Sequence, residues 1–194
     1  MYRFADKLAR GFALLGGAAL SLLIVLICLS VLGRSINTIL HGDFFQNTLP
    51  GLASTLLASG IGPINGDFEI VEAGMAFAIF AFLPLCQLQF AHASVDVFTS
   101  HLPERVNRVM RAIIELAFAA CIVLIAVQLT SGLMSKYRSG QTTLLLEFPV
   151  WWSYALSTIA AWAAALIATY VGFMRAVECY VGHAILPDTS EAIQ

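Results

Sequence analysis

Apolar residues run in long blocks along this chain, and the few polar positions fall mostly between the blocks. The first block extends from Phe12 to Leu32 with only Ser21, Cys28 and Ser30 as mildly polar members. A second, from about Ile70 to Phe90, carries Glu72, Gln87, Gln89 and Pro84. A third runs from about Ala112 to Leu133 with Glu115 and Gln128, and a fourth opens at Pro149 and continues uncharged to about Met174. Each is long enough to cross a hydrocarbon core of about 30 Å, which takes about 20 apolar residues as a helix. The pattern predicts an all-α membrane protein: four transmembrane helices at 12–32, 70–90, 112–133 and 149–174, forming one membrane domain over residues 1–194. Pro149 suits the start of the fourth helix, because its missing N–H is one that a first turn leaves unpaired.

Composition agrees. Of 194 residues 59% are hydrophobic and 11% charged, a balance that a water-soluble surface cannot accommodate. Arg3, Lys7 and Arg10 before the first block imitate a secretory signal, but the block is longer than a signal core and no small-x-small site closes it. A retained signal anchor is expected. Lys and Arg set the orientation. Arg3, Lys7, Arg10, Arg105, Arg108, Arg111 and Arg175 fall on one side, against Arg34, Lys136 and Arg138 on the other. Seven against three places both termini in the cytoplasm.

In the first loop Leu49, Leu52 and Leu56 share a helical face, with Ser54, Thr55 and Ser59 away from it. A short interfacial helix is expected there, touching either lipid or a partner subunit. Gly60, Gly62, Pro63, Asn65 and Gly66 then reverse the chain. In the fourth block Ala160, Ala164, Ala168 and Gly172 recur every four residues, the spacing that lets another helix approach closely in lipid. Gly74 and Ala78 offer a shorter such face in the second block, and Ala13, Gly17 and Ser21 one in the first. Trp151, Trp152 and Tyr154 read as an aromatic belt at the outer end of the fourth span.

Ionisable residues in spans are expensive and so are candidates for function. Asp67, Glu69 and Glu72 cluster at the entrance to the second span, with Glu69 and Glu72 on one helical face. They can receive a cation, a basic partner or the N–H groups of the helix start. Glu115 lies one turn past Arg111 and suits a structural ion pair. Gln87, Gln89 and Gln128 can bond across helices. Cys28, Cys86, Cys121 and Cys179 are too scattered for a disulfide or metal framework and read as small packing residues. No phosphate loop, metal-ligand spacing, nucleophile elbow or nucleic-acid-binding basic tract is present, so nothing recommends an enzyme. His41, His92, His101 and His183 lie away from the apolar centres, where a haem-binding bundle would want facing imidazoles.

The stretch GDFEIVEAGMAFAIFAFLPLCQLQFAHASVDVFTSHLPER, Gly66 to Arg105, resembles the signature of the small DctQ-type subunit of tripartite ATP-independent periplasmic (TRAP) transporters. Gly66, Glu69 and Glu72 open the span, a His-x-x-x-Asp element (His92, Asp96) closes it, and Leu102–Pro103 precede basic residues. GQTTLLLEFPVWW resembles the run ahead of the family's last span through Gly140, Thr143, Leu146, Pro149 and Trp151, and Arg34 fits after the first. Phe68 and Ala91 depart from the commoner pattern. The resemblance implies a bacterial inner-membrane scaffold subunit. It would pack beside a large multi-span permease that binds sodium and substrate, and work with a periplasmic binding protein that delivers an organic anion, often a carboxylate. It implies no cofactor in this chain, a place for Asp67, Glu69 and Glu72 near the docked protein, and a hydrogen bond between His92 and Asp96 at the inner end of the second span. The alternative is a haem- or quinone-binding membrane anchor of a redox enzyme; a third reading is a free-standing small channel or exporter.

Overall fold

The computed structural model describes residues 2–42, 51, 60, 62, 64–89 and 104–181. Four long helices make up the described part of the fold: α1 (Tyr2–Leu40), α2 (Asp67–Leu88), α3 (Glu104–Ser139) and α4 (Trp151–Val181). All four are long and apolar enough to span a membrane. Among the described residues the one departure from helix and turn is an isolated antiparallel bridge between Thr142 and Pro149. The interfacial helix expected around Leu49, Leu52 and Leu56, and the pair His92 and Asp96, lie outside the described residues.

The helices exceed the apolar runs. α1 has 39 residues, about 58 Å at 1.5 Å per residue, and α3 has 36. Charged residues expected in loops therefore sit on helices: Arg34 on α1, Arg108 and Arg111 on α3 with Lys136 and Arg138 in its last turn, and Arg175 on α4. A charge ends a hydrophobic run without ending a helix, since Lys and Arg are good helix formers. Pro149 does not begin the fourth helix. It precedes α4 and accepts the Trp152 N–H at 3.2 Å.

α1 packs on α2, α2 on α4 and α4 on α3, while α1 and α4 barely meet. No Cα atoms of α1 and α3, or of α2 and α3, approach within 8 Å. The result is an open row with α4 inside it and α1 and α3 at its ends.

The α1–α2 contact follows a seven-residue repeat. Ala9, Gly16, Leu23 and Ser30 descend one side of α1, and Leu88, Ala81, Gly74 and Asp67 meet them in antiparallel order. Ala9 and Leu88 share a buried cluster with Ile167 and Val171 of α4. A Cβ on Gly16 would lie 3.0 Å from the Ala81 Cβ, and one on Gly74 2.9 Å from Leu23 Cδ1. Ser30 Oγ donates to Asp67 Oδ2. A strict seven-residue seam is the geometry of helices wound gently around each other in the left-handed sense. The face at Ala13, Gly17 and Ser21 is a different one from the seam, since one residue of shift turns the face by about 100°. Ser21 is exposed and bonds back to the Gly17 carbonyl at 2.9 Å. Gly74 and Ala78 do face α1: the Ala78 carbonyl lies 3.4 Å from where a Gly16 Cβ would stand.

Gly16→Leu is accordingly expected to destabilise the protein in detergent by about 1–3 kcal/mol through overpacking. Gly17→Leu, whose Cβ meets only Phe82 Cζ at 3.9 Å, should stay within about 0.5 kcal/mol of the parent. Thermal unfolding followed by tryptophan fluorescence compares the two; equal losses would remove the seam argument.

The alanine stripe of α4 is an internal packing face. Ala160, Ala161, Ala164 and Ala168 are fully buried, and the last three form one cluster with Ala165 and with Ala119, Ile122 and Ala126 of α3. Phe80 and Leu83 of α2 pack against the same cluster. Small side chains on α4 thus let the side chains of its two neighbours meet although their backbones stay apart. A Cβ on Gly172 would lie 3.5 Å from the Glu115 carbonyl oxygen, which marks close backbone approach. Trp162 Nε1 donates to Thr130 Oγ1 at 3.0 Å, adding a polar link between α3 and α4. Cys28 and Cys121, expected as packing residues, are exposed on the outside of the row; Cys86 and Cys179 are half-buried.

Candidate functional site at the two polar ends of the row

At the end where α2 begins, Gly66 caps the helix in the left-handed conformation, φ +79°. Its carbonyl accepts the N–H groups of Glu69 (3.1 Å) and Ile70 (3.3 Å). The side chain of Leu146, from the segment between α3 and α4, lies directly over it: a Cβ at position 66 would be 2.4 Å from Leu146 Cγ. Both the backbone angle and the missing side chain are required.

That segment is a short hairpin. Gly140, φ +61°, ends α3 as a left-handed cap. Thr143 N–H then donates to the Phe148 carbonyl and Val150 N–H to the Gln141 carbonyl, each at 3.0 Å. Lys136 Nζ donates to Gln141 Oε1 at 2.6 Å. Glu147 takes a positive φ of 52° at the turn, unusual for a residue with a side chain. Tyr137 and Trp151 meet edge to face at the base, ring centres 5.6 Å apart. Tyr154 packs against Gly132. Trp152, 56% exposed, projects outward but also meets Trp151 edge to face at 5.9 Å, so all three expected belt aromatics make contacts within the chain.

Glu69 joins the hairpin to α2. Its Oε1 accepts the Leu145 N–H at 2.8 Å and its Oε2 the Leu146 N–H at 3.0 Å. One N–H on each oxygen is a charge-assisted clamp, stronger than a bond between neutral groups. Asp67 is used differently. Its Oδ1 accepts the Phe68 N–H at 2.7 Å, and its Oδ2 accepts the Ser30 hydroxyl and faces Arg34 Nη2 at 3.7 Å. Arg34 is mostly exposed, so water screens this ion pair and it adds little. Glu72 is exposed. The three acids therefore do not converge: Asp67 turns to α1, Glu69 to the hairpin and Glu72 to the surroundings.

The stretches that carry the sequence resemblance meet here. Gly66 and Glu69 from one, and Leu146 from the other, form a single joint across 76 and 77 residues of chain. Of the other positions, Gly140 ends α3, while Thr143 and Pro149 belong to the hairpin. The Thr143 hydroxyl is buried beside the Glu69 carboxylate.

The opposite end holds a second polar group. Gln87 is fully buried, and its amide donates to Glu115 across the α2–α3 gap. This supplies the partner that sequence could not name and engages the carboxylate expected to serve Arg111. Arg175 and Glu178, one turn apart on α4, pair at 2.7 Å with their side chains 9% and 2% exposed. The fourth apolar run stops just before Arg175 and so does not mark the two as a pair, although their three-residue spacing suits a helical one. Ser30, a lone serine in an apolar run, is unremarkable in sequence until its seven-residue neighbours are traced.

Among the described residues neither end offers an arrangement of nucleophile and base; both use polar groups to fasten helices. A family model described as "Tripartite ATP-independent periplasmic transporters, DctQ component" matches residues 23–178. No curated protein and no solved structure gives a match. Four spanning helices and a match that runs from the middle of α1 almost to the end of α4 lead to one assignment: the chain belongs to the DctQ family and is the small membrane subunit of a TRAP transporter.

Proposed function

We propose that this subunit is the static scaffold of its transporter, holding a large sodium-coupled permease that moves as an elevator while a periplasmic binding protein delivers an organic anion, a carboxylate by class. The observation that carries the reading is the way the four helices are fastened: the α1–α2 seam, the α4 alanine stripe and the Glu69 clamp tie successive neighbours together. A unit that must stay still while its partner moves needs such fastening at both ends. The row also leaves broad apolar faces for a large membrane partner or lipid, with Leu14, Leu22 and Leu29 on α1 and Ile113, Ile114 and Leu124 on α3 more than half exposed.

In this reading the subunit lies in the bacterial inner membrane with both termini in the cytoplasm, which puts the α2 entrance and the hairpin on the periplasmic side. Asp67, Glu69 and Glu72 then shape the outer surface near the docked binding protein, and of the three Glu72 is the exposed one. Sodium belongs to the large subunit.

Vesicles reconstituted with the large subunit, this subunit, the binding protein and an inward sodium gradient are expected to accumulate labelled carboxylate. Omitting this chain should abolish uptake, and the chain alone should carry none. Unchanged uptake without it, or flux through it alone, would overturn the scaffold reading.

A further inference from the structure

We infer that the hairpin at residues 141–149 is a lipid anchor, which seats Leu144 and Leu145 in the boundary between headgroups and acyl chains at one face of the membrane. Leu144 is 94% exposed and Leu145 66%, an unusual presentation for two consecutive leucines in a short, internally bonded turn.

Three observations favour lipid as the occupant. The first is depth. α2 has 22 residues, about 33 Å of helix, close to the roughly 30 Å of a hydrocarbon core. Its first turn therefore lies at one boundary, and Glu69 clamps the hairpin to that turn.

The second is the company at that level. Phe68 in the first turn of α2 is 73% exposed, Trp152 in the first turn of α4 56%, and Tyr137 near the end of α3 62%. Large aromatic side chains at helix ends mark the headgroup zone, where one edge of the ring is wet and the other apolar. The leucines extend this rim between α2 and α4.

The third is the hairpin backbone. The N–H groups of Leu145 and Leu146 go to Glu69, that of Thr143 to Phe148 and that of Val150 to Gln141. A loop in water has no need to satisfy its amides internally, whereas a loop at the edge of hydrocarbon does. The clamp thus hides the polar backbone while turning apolar side chains outward. This inference goes beyond the scaffold reading and does not rest on it.

The test places the photoreactive residue p-benzoylphenylalanine at position 145, and separately at 144, in the whole transporter in native membranes. Neither replacement removes a bond of the clamp, since the side chains of Leu144 and Leu145 take no part in it. Illumination is expected to yield phospholipid adducts as the main product at both positions, identified by mass. A dominant adduct with another protein chain would assign the tip to a protein interface and overturn the inference. Recovery of the unreacted probe at both positions would place the tip in water and overturn it equally.

Discussion

Glu178→Ala is expected to be the most damaging single substitution among the polar residues described, costing about 3–5 kcal/mol of stability. Arg175 is 7% exposed and Glu178 2%, and their charges meet at 2.7 Å. Removing one member of a buried pair takes the nearest opposite charge from the other while its desolvation cost remains, a loss that exceeds what the pair itself contributes. The comparison of variants carries the argument. Arg175→Met combined with Glu178→Leu removes both charges and keeps most of the volume, so it should be much milder than Glu178→Ala alone. Thermal unfolding of the purified subunit in detergent reads the difference. If the double variant were as unstable as the sum of its singles, the two side chains would be acting independently and the pairing argument would fail.

This pair also shows where sequence reasoning stops in such a chain. The number of spans, the breaker before α2 and the alanine stripe of α4 follow from hydropathy and four-residue spacing, both local properties. The helix ends do not, because charges stop a hydrophobic run while the helix continues past the hydrocarbon. Arg175 thus passed from a tail to a buried position on α4. The α1 seam was present in the sequence as Ala9, Gly16, Leu23 and Ser30, but a four-residue rule selects Ala13, Gly17 and Ser21 instead, on another face. Glu69 and Gln87 were legible as polar residues at costly positions. Their partners were not, since Leu145 and Leu146 offer only backbone N–H groups, which every residue but proline carries. What did point to the joint was the resemblance, which singled out Gly66, Glu69, Gly140, Leu146 and Pro149 without saying that they belong together.

That joint makes its own prediction. Gly66→Ala should lift the hairpin from α2 and raise the hydrogen-exchange rates of the Leu145 and Leu146 amides at least about tenfold, the factor that 1.4 kcal/mol supplies. Two costs combine. A left-handed φ of +79° costs a residue with a Cβ about 1–2 kcal/mol, and that Cβ would stand 2.4 Å from Leu146 Cγ, so the leucine and its segment of backbone must move. Overpacking of this kind typically costs about 1–3 kcal/mol. The costs separate by adding Leu146→Ala, which removes the clashing branch but not the backbone strain. The double variant should recover part of the protection lost in Gly66→Ala and remain below Leu146→Ala alone. Because Glu69 holds the Leu145 and Leu146 amides from the same first turn that Gly66 caps, exchange at these two sites reports the joint directly. Unchanged exchange in Gly66→Ala would mean that the clamp survives without the seat for Leu146, and that Gly66 serves only to start α2.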